Sequence, residues 1–178
     1  MPEIEIRPAD LQDFGQLLNL NHSYQTSYVW QMDRTFEEGQ ISIFFREIRL
    51  PRHVKVDYPH SPKFLTQTLP QATLLVAILD NLPVGYVSVV EHLAPNSSWV
   101  TDLVVDEKSR RKGIGTALLM SAQEWTIRKN LKKIILEMQS KNFPAIRFAQ
   151  KLGFEFCGYN DHYYTNRDIA LFFARLLH

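Results

Sequence analysis

The stretch that decides the fold of this 178-residue chain is Arg110-Arg111-Lys112-Gly113-Ile114-Gly115-Thr116-Ala117-Leu118-Leu119. A β-rich run from Trp99 to Val105 precedes it, and apolar residues at helical spacing follow it. This order predicts a strand, a basic turn with two glycines, and the start of a helix. Glycines let successive backbone N–H groups point at one anion, and a helix N-terminus adds unpaired donors and the positive end of its dipole. The stretch therefore predicts a pyrophosphate-binding loop, in which Arg110, Arg111 and Lys112 add positive charge.

Two better-known phosphate-binding motifs do not fit this loop. A Walker loop needs Gly-x-x-x-x-Gly-Lys-Ser/Thr, and the sequence has no such run. The dinucleotide fingerprint needs glycine or alanine where this chain has Leu118, whose side chain blocks a close approach of helix and strand. The remaining pattern, Arg/Gln-x-x-Gly-x-Gly/Ala, resembles the coenzyme A pyrophosphate loop of the GNAT family of N-acetyltransferases. Taken alone, the loop is equally compatible with an ordinary glycine-containing turn between a strand and a helix.

A second motif favours the family over the ordinary turn. A predicted strand, 132–138, is followed by a segment that resembles the family's Asn-x-x-Ala-x-x-Phe-Tyr-x-x-x-Gly-Phe pattern. The matching residues, in the same order and spacing, are Asn142, Ala145, Phe148, Gly153 and Phe154. With both motifs, the chain is identified as a member of the GNAT family. It further resembles the streptothricin acetyltransferase-like members at 28–32, 45–47, 51–59 and 102–105, and at 153–164 with 170–171.

The resemblance implies an α/β (α+β) fold in which one domain spans residues 1–178. Its mixed central sheet would have about six to seven strands, splayed between the fourth and fifth and flanked by helices. Acetyl-CoA, as co-substrate, would lie in the splay, where a backbone N–H of the fourth strand stabilises the oxyanion. The residues expected to bind it are Leu103, Val104, Val105, Arg110, Arg111, Lys112, Gly113, Ile114, Gly115, Thr116, Asn142 and Phe148.

Catalytic candidates follow from the chemistry of amine acetylation. A free alkylamine has a pKa near ~10.4, so a carboxylate or a water chain must take its proton. Asp102 and Glu137 are the carboxylates on the two strands beside the expected gap, although strand-end carboxylates often only pair with a lysine or a backbone donor. The family's usual tyrosine after Phe148, assigned to protonate the departing thiolate, is Ala149 here. Its hydroxyl could come from Tyr159, Tyr163 or Tyr164, or from water.

Three functions are compatible with these residues. The first is an N-acetyltransferase acting on a small cationic amine, as the subgroup resemblance implies. The second is an N-acetyltransferase acting on a protein lysine or N-terminus. The third, suggested by Ala149, is an acetyl-CoA-binding module without transfer.

Composition argues against other classes of protein, such as nucleic-acid-binding and membrane proteins. The chain is 45% apolar and 22% charged with a net charge of +1, so no global field favours nucleic acid or an anionic membrane. No apolar run approaches the ~20 residues of a membrane span, and the N-terminus resembles no targeting peptide. The six histidines lack metal-ligand spacing, and the single cysteine, Cys157, is expected in the core. We expect a cytoplasmic protein without a metal, and a homodimer is compatible with its aromatic-rich segments.

Patterning elsewhere predicts the remaining elements. Apolar alternation predicts strands at 4–7, 73–79, 84–91, 98–105, 154–159 and 169–174, and helical spacing predicts helices after Pro8, after Gly113 and at 145–152. Residues 21–71, rich in aromatics and proline, are expected to mix helix, strand and loop, with a strand at 41–49. Such a segment is either a binding loop or an ordinary packed connection.

Overall fold

The computed structural model describes residues 3–61, 63, 65, 72–91 and 93–178. Its central sheet has seven strands in the order β1-β4-β5-β6-β7-β9-β8, and β2 and β3 form a separate antiparallel pair. The strands are β1 (Glu5–Pro8), β2 (Tyr24–Glu37), β3 (Gln40–Val56), β4 (Ala72–Leu79), β5 (Leu82–Glu91), β6 (Ser97–Val105), β7 (Lys133–Gln139), β8 (Glu155–Asn160) and β9 (Ala170–Leu176). The helices are α1 (Phe14–Leu18), α2 (Ile114–Arg128) and α3 (Phe143–Lys151). The predicted mixed sheet flanked by helices is confirmed.

Local sequence explains most of these elements. Asp80 and Asn81 both have positive φ, as a two-residue hairpin turn requires, and they join β4 to β5. Ile114, Leu118 and Ala122 recur at helical spacing and are buried, so one face of α2 packs on the sheet. The apolar strand β4 is buried along most of its length because α1 and α2 both contact the β4–β5 region of the sheet.

The sheet opens between β6 and β7. Only Ser97–Val100 of β6 pair with β7, in parallel with Lys133–Leu136. Beyond that point β6 continues to Val105 and β7 to Gln139. The register between β5 and β6 skips Thr101, which is therefore the extra residue of a β-bulge. A bulge bends its strand and ends regular pairing, so it accounts for the opening at this position.

The described part of residues 21–71 contains strand, loop at 57–61 and a helical residue, Leu65, as expected, but strand occupies far more of it than the sequence predicts. Residues 24–56 form one long hairpin whose turn contains Gly39 at φ +73°. The expected strand at 41–49 lies within β3. Both faces of this hairpin are partly exposed, so its sequence lacks the alternation that would have predicted it. The Pro62 and Pro70 part of the segment lies outside the described residues.

Aromatic contacts pack the hairpin against β9 and β8, at one edge of the sheet. The Trp30 ring lies 5.8 Å from the Phe173 ring, and the Phe45 ring lies 5.5 Å from that of Phe156. Cys157, expected in the core, is exposed, because it is the extra residue of a bulge on the edge strand β8.

Gly85 provides a test of the packing behind the opening. A Cβ at Gly85 would lie 2.7 Å from the Val104 carbonyl oxygen, so Gly85→Ala must shift β5 away from β6. We expect Gly85→Ala to lower the free energy of unfolding by about 1–3 kcal/mol, measured by urea denaturation. The matched control is Gly15→Ala in α1, where a Cβ meets nothing within 4 Å. The control should be neutral or stabilising, and equal effects of the two changes would contradict this account.

Candidate active site

A cleft of about 660 Å³ occupies the opening between β6 and β7. This volume lies within the ~300–1,000 Å³ typical of small-molecule sites. Eleven of the twelve residues predicted to bind acetyl-CoA line this one cleft, and Lys112 is the exception. The eleven are Leu103, Val104, Val105, Arg110, Arg111, Gly113, Ile114, Gly115, Thr116, Asn142 and Phe148.

The loop before α2 has the geometry of an anion cradle. Gly113 is the N-cap of α2 at φ +83°, and it offers no side chain to the first-turn N–H groups of the helix. Those donors have no partner within the helix and face a site lined by Gly113, Ile114 and Gly115. A Cβ added to Gly115 would lie 3.7 Å from Phe148 Cζ and 3.8 Å from Val105 Cγ2. The loop therefore fits a pyrophosphate held by backbone amides.

Arg110 is engaged differently from the other basic residues of the loop. Its Nε donates to the Val105 carbonyl at 2.9 Å, and its Nη2 donates to the carbonyls of Asn21 and Ser23 at 3.0 and 2.8 Å. The guanidinium thus ties the loop to the end of β6 and to the segment before β2. Its charge remains at the cleft, but its hydrogen bonds show that its main contacts are structural.

Asn142 also has a structural contact. Its side-chain oxygen accepts a hydrogen bond from the Ala145 backbone N–H at 3.2 Å and so caps α3. The cap explains why asparagine precedes this helix, whose N1 and N2 positions include Pro144. A contact from Asn142 to the co-substrate stays a prediction.

Asp102 lies just past the end of the β6–β7 pairing. Its carboxylate accepts hydrogen bonds from Tyr58 Oη, from His60 Nδ1 at 2.9 Å and from Thr101 Oγ1 at 2.9 Å. Burial would raise the pKa of Asp102, but the hydrogen bond and charge of His60, with the two hydroxyl donors, hold that pKa below its ordinary value. Asp102 is therefore a stable carboxylate and a weak base.

Glu137 lies on the opposite strand, and its side chain is 2% exposed. Its Oε2 accepts hydrogen bonds from Trp99 Nε1 and Tyr163 Oη, each at 3.0 Å. Burial raises the pKa of Glu137 above its ordinary value, and the donors Tyr163 and Trp99 only partly oppose this. Glu137 is thus the stronger base of the two carboxylates.

A second cavity of about 180 Å³ adjoins the cleft. Asp102 lines it, and the four residues that line both cavities are Tyr58, His60, Thr101 and Glu137. The larger cavity contains the anion cradle, and the smaller one contains two carboxylates. A reaction between a molecule in each would occur where the two cavities meet.

Sequence reasoning missed Tyr58 and His60. Both follow β3, in a segment where only the pairing of aromatic and polar residues between Asp57 and Ser61 hinted at a site. His60 lies 42 residues from Asp102 in the sequence, so no local spacing connects them.

The tyrosine candidates differ in position. Tyr159 lines neither cavity, and its ring packs at 5.2 Å against that of Phe45 on the hairpin. Tyr164 lines the cleft and Tyr163 lines the smaller cavity. Ala149 is fully buried on the core-facing side of α3, and the residue of this helix that lines the cleft beside it is Phe148.

Comparison with known proteins agrees with this geometry. A sequence profile described as the acetyltransferase (GNAT) family matches residues 41–154. The chain belongs to the GNAT acetyltransferase family. The resemblance predicted from the two motifs is thereby confirmed, and the protein is an acyl-CoA-dependent N-acetyltransferase.

Individual relatives are similar over part of the chain. An N-alpha-acetyltransferase of Saccharolobus solfataricus is 34% identical over 113 residues, which cover 57% of this chain and 68% of that protein. Streptothricin acetyltransferase A of Bacillus subtilis is 30% identical over 103 residues, covering 53% of this chain and 56% of that protein. The solved structure of a nourseothricin acetyltransferase superposes with a TM-score of 0.83 at 22% identity, covering 97% of this chain and 98% of that one.

The described part of the chain lacks two further features. No group of three or more His, Cys, Asp or Glu side chains there is arranged to hold a metal ion. None of the described helices is long and apolar enough to cross a lipid bilayer.

Gly115 allows the anion cradle to be tested. Gly115→Ala adds a methyl group at ordinary contact distance, so its Kd for acetyl-CoA should stay within about threefold of wild type. Gly115→Glu adds bulk and a negative charge beside the pyrophosphate, and its Kd should rise about 100-fold or more. Isothermal titration calorimetry measures both values, and circular dichroism confirms folding. Unchanged binding by the glutamate variant would contradict the assignment of this loop.

Proposed function

We propose that this protein transfers the acetyl group of acetyl-CoA to the primary amine of a small cationic acceptor, by direct attack in a ternary complex. The observation that carries the proposal is the meeting of the two cavities at Glu137, with Asp102 beside it. A buried pair of carboxylates next to a cofactor-sized cleft suits an ammonium group that must enter charged and react neutral.

The proposed reaction uses residues from both strands. Backbone N–H groups of Gly113, Ile114 and Gly115 hold the pyrophosphate. The end of β6 that is not paired with β7, from Leu103 to Val105, holds the thioester. Glu137 takes one proton from the ammonium group, and the amine nitrogen then attacks the thioester carbon. As the C–N bond forms the C–S bond breaks, and its electron pair leaves with sulfur. The second proton that the nitrogen loses on becoming an amide passes through water to the thiolate.

Glu137 is preferred to Asp102 as the base on two grounds. Asp102 already accepts three hydrogen bonds and its pKa lies below the ordinary range, so it gains little from a further proton. Glu137 has a raised pKa, which gives it more driving force to accept a proton from an amine. Asp102 instead supplies negative potential that attracts the cation.

Protein N-terminal acetylation is the second candidate, because one relative is named an N-alpha-acetyltransferase. An N-terminal amine is an uncrowded primary amine and needs the same base. The two candidates differ in what must fit beyond the amine. The smaller cavity, at about 180 Å³, favours a small molecule or a single side chain.

Thiol release from acetyl-CoA distinguishes these functions. Purified protein would be assayed with streptothricin, polyamines, amino sugars and short peptides with free N-termini. We expect release with a small polycationic amine and little with peptides. Release only with peptides would support the second candidate, and tight acetyl-CoA binding without any release would support the non-catalytic alternative.

Glu137→Gln tests the base. Glutamine keeps the size of the side chain but cannot take a proton, so kcat should fall about 10²-fold or more while the KM for acetyl-CoA stays within about threefold. The matched control is Glu155→Gln on the exposed strand β8, which should behave as wild type. A Glu137→Gln enzyme with full kcat would show that another group or water accepts the proton.

A further inference from the structure

His60 lies between the two carboxylates at the end of the β6–β7 pairing. Its Nδ1 is 2.9 Å from Asp102 Oδ1, and its Nε2 is 4.0 Å from Glu137 Oε1. The ring lines both cavities. One imidazole therefore faces a carboxylate from each of the two diverging strands.

Aromatic neighbours fix the orientation of the imidazole. The Tyr58 ring lies 5.9 Å away at 88°, and the Tyr164 ring lies 5.5 Å away at 60°. Tyr58 also donates to the same Asp102 oxygen as His60, so the segment after β3 is anchored to β6 by two side chains. This anchoring makes the direction of Nε2 towards Glu137 a fixed feature of the site.

Among the described residues, the tyrosines and the second histidine around His60 are neutral at physiological pH. Burial, with nearby negative charge, raises the pKa of each surrounding tyrosine; these are Tyr58, Tyr86, Tyr163 and Tyr164. Burial lowers the pKa of His22, which packs beside Tyr58 and Tyr86. Of these described side chains, the ones whose charge acts on His60 are Asp102 and Glu137.

Two buried carboxylates this close to one ring disfavour each other's ionisation, and a cation between them removes the penalty. We propose that His60, held by Asp102, is a positioning residue whose imidazolium charge keeps Glu137 ionised and ready to take the proton of the acceptor amine. The proposal rests on the proposed role of Glu137. The opposed effects on His60 agree with it, because burial lowers its pKa but Asp102 and Glu137 together raise it above the ordinary value.

The proton balance follows from this role. The ammonium group gives one proton to Glu137 and keeps its nitrogen electron pair for the new C–N bond. After the attack the nitrogen still carries one proton more than the amide does, and this second proton passes through water to the departing thiolate. Glu137 returns the first proton to solvent after the amide leaves. His60 keeps both of its ring protons throughout, so it acts on the rate only through Glu137.

The sign of the pH effect is fixed by the charge. Loss of the imidazolium removes a positive charge beside Glu137, so the carboxylate must protonate at a higher pH than in wild type. Because only ionised Glu137 can accept the proton, the acid limb of kcat must move to higher pH.

Two substitutions separate this role from a purely structural one. His60→Asn keeps a side-chain donor near the position of Nδ1, towards Asp102, and His60→Gln keeps one near the position of Nε2. Neither amide carries a charge. The control is His53→Gln on β3, an exposed histidine that lines neither cavity and contacts Ser27.

The experiment has two readouts. The first is the pH profile of kcat with saturating acetyl-CoA and the acceptor found in the thiol-release assay. The second is a ¹³C NMR titration of glutamate-labelled protein, with Glu137→Gln assigning the resonance; it needs no acceptor. In both His60 variants we expect kcat at neutral pH to fall about 10-fold, the acid limb and the Glu137 titration to move to higher pH, and acetyl-CoA binding to be unchanged.

The outcomes are separable. An unmoved Glu137 titration in the His60 variants would overturn the inference. A wild-type pH profile of kcat in His60→Asn would also overturn it, because His60 would then serve only to hold Asp102 in place. Full activity of Glu137→Gln would instead refute the proposed base, while the NMR titration would still decide whether His60 controls the ionisation of Glu137.

Discussion

The early end of β6–β7 pairing is the constraint on which the rest of the site depends. A backbone that leaves a sheet exposes N–H and C=O groups that need other partners. Here the bulge at Thr101 ends the pairing after Val100 and Leu136, in the middle of a seven-stranded sheet. The opening gives a co-substrate access to strand backbone that would otherwise be hydrogen-bonded. It also brings the carboxylates of Asp102 and Glu137, one from each strand, to the wall of the smaller cavity beside the cleft.

Placing two carboxylates at this point has an electrostatic cost that the surrounding elements offset unequally. Asp102 is surrounded by hydroxyl and imidazole donors and stays ionised. Glu137 receives donors from Trp99 and Tyr163 but remains nearly enclosed, so its affinity for a proton rises. The same split that opens the sheet therefore leaves one carboxylate with a lowered pKa and the other with a raised pKa. Elements far apart in sequence, the segment after β3 and the β8–β9 connection, supply the groups that create this difference.

The features predictable from sequence were those encoded by local spacing. Gly113 and Gly115 between a strand and a helix predicted the cradle, and the segment after Asn142 predicted the wall opposite. The long β2–β3 hairpin was not predictable in this way. Trp30 and Phe45 pack on the sheet and Tyr24 and Thr26 are buried, while the remaining positions are half-buried or exposed without regular alternation. A hairpin of this kind is specified by what it packs against.

Tyr159 shows a second limit on what the sequence can predict. Face assignment along a strand assumes an uninterrupted period of two, but β8 carries a bulge at Cys157. The extra residue resets the alternation, so the Tyr159 ring meets Phe45 of the hairpin. His60 is a third case, because its partners lie on two other strands and only the folded chain brings them together.

The alanine at position 149 can be understood from the difference between the two bonds that change. Breaking the C–S bond releases a thiol with an ordinary pKa near ~8.5, which is already a good leaving group at neutral pH. Deprotonating an alkylammonium with a pKa near ~10.4 is the more demanding proton transfer. Ala149 is sealed in the core, and the Tyr164 hydroxyl that lines the cleft has a raised pKa, so it can donate a hydrogen bond but gives up its proton reluctantly. In the proposed reaction the acid–base chemistry is therefore concentrated on the amine, at the carboxylates beside the opening, where assistance lowers the barrier most.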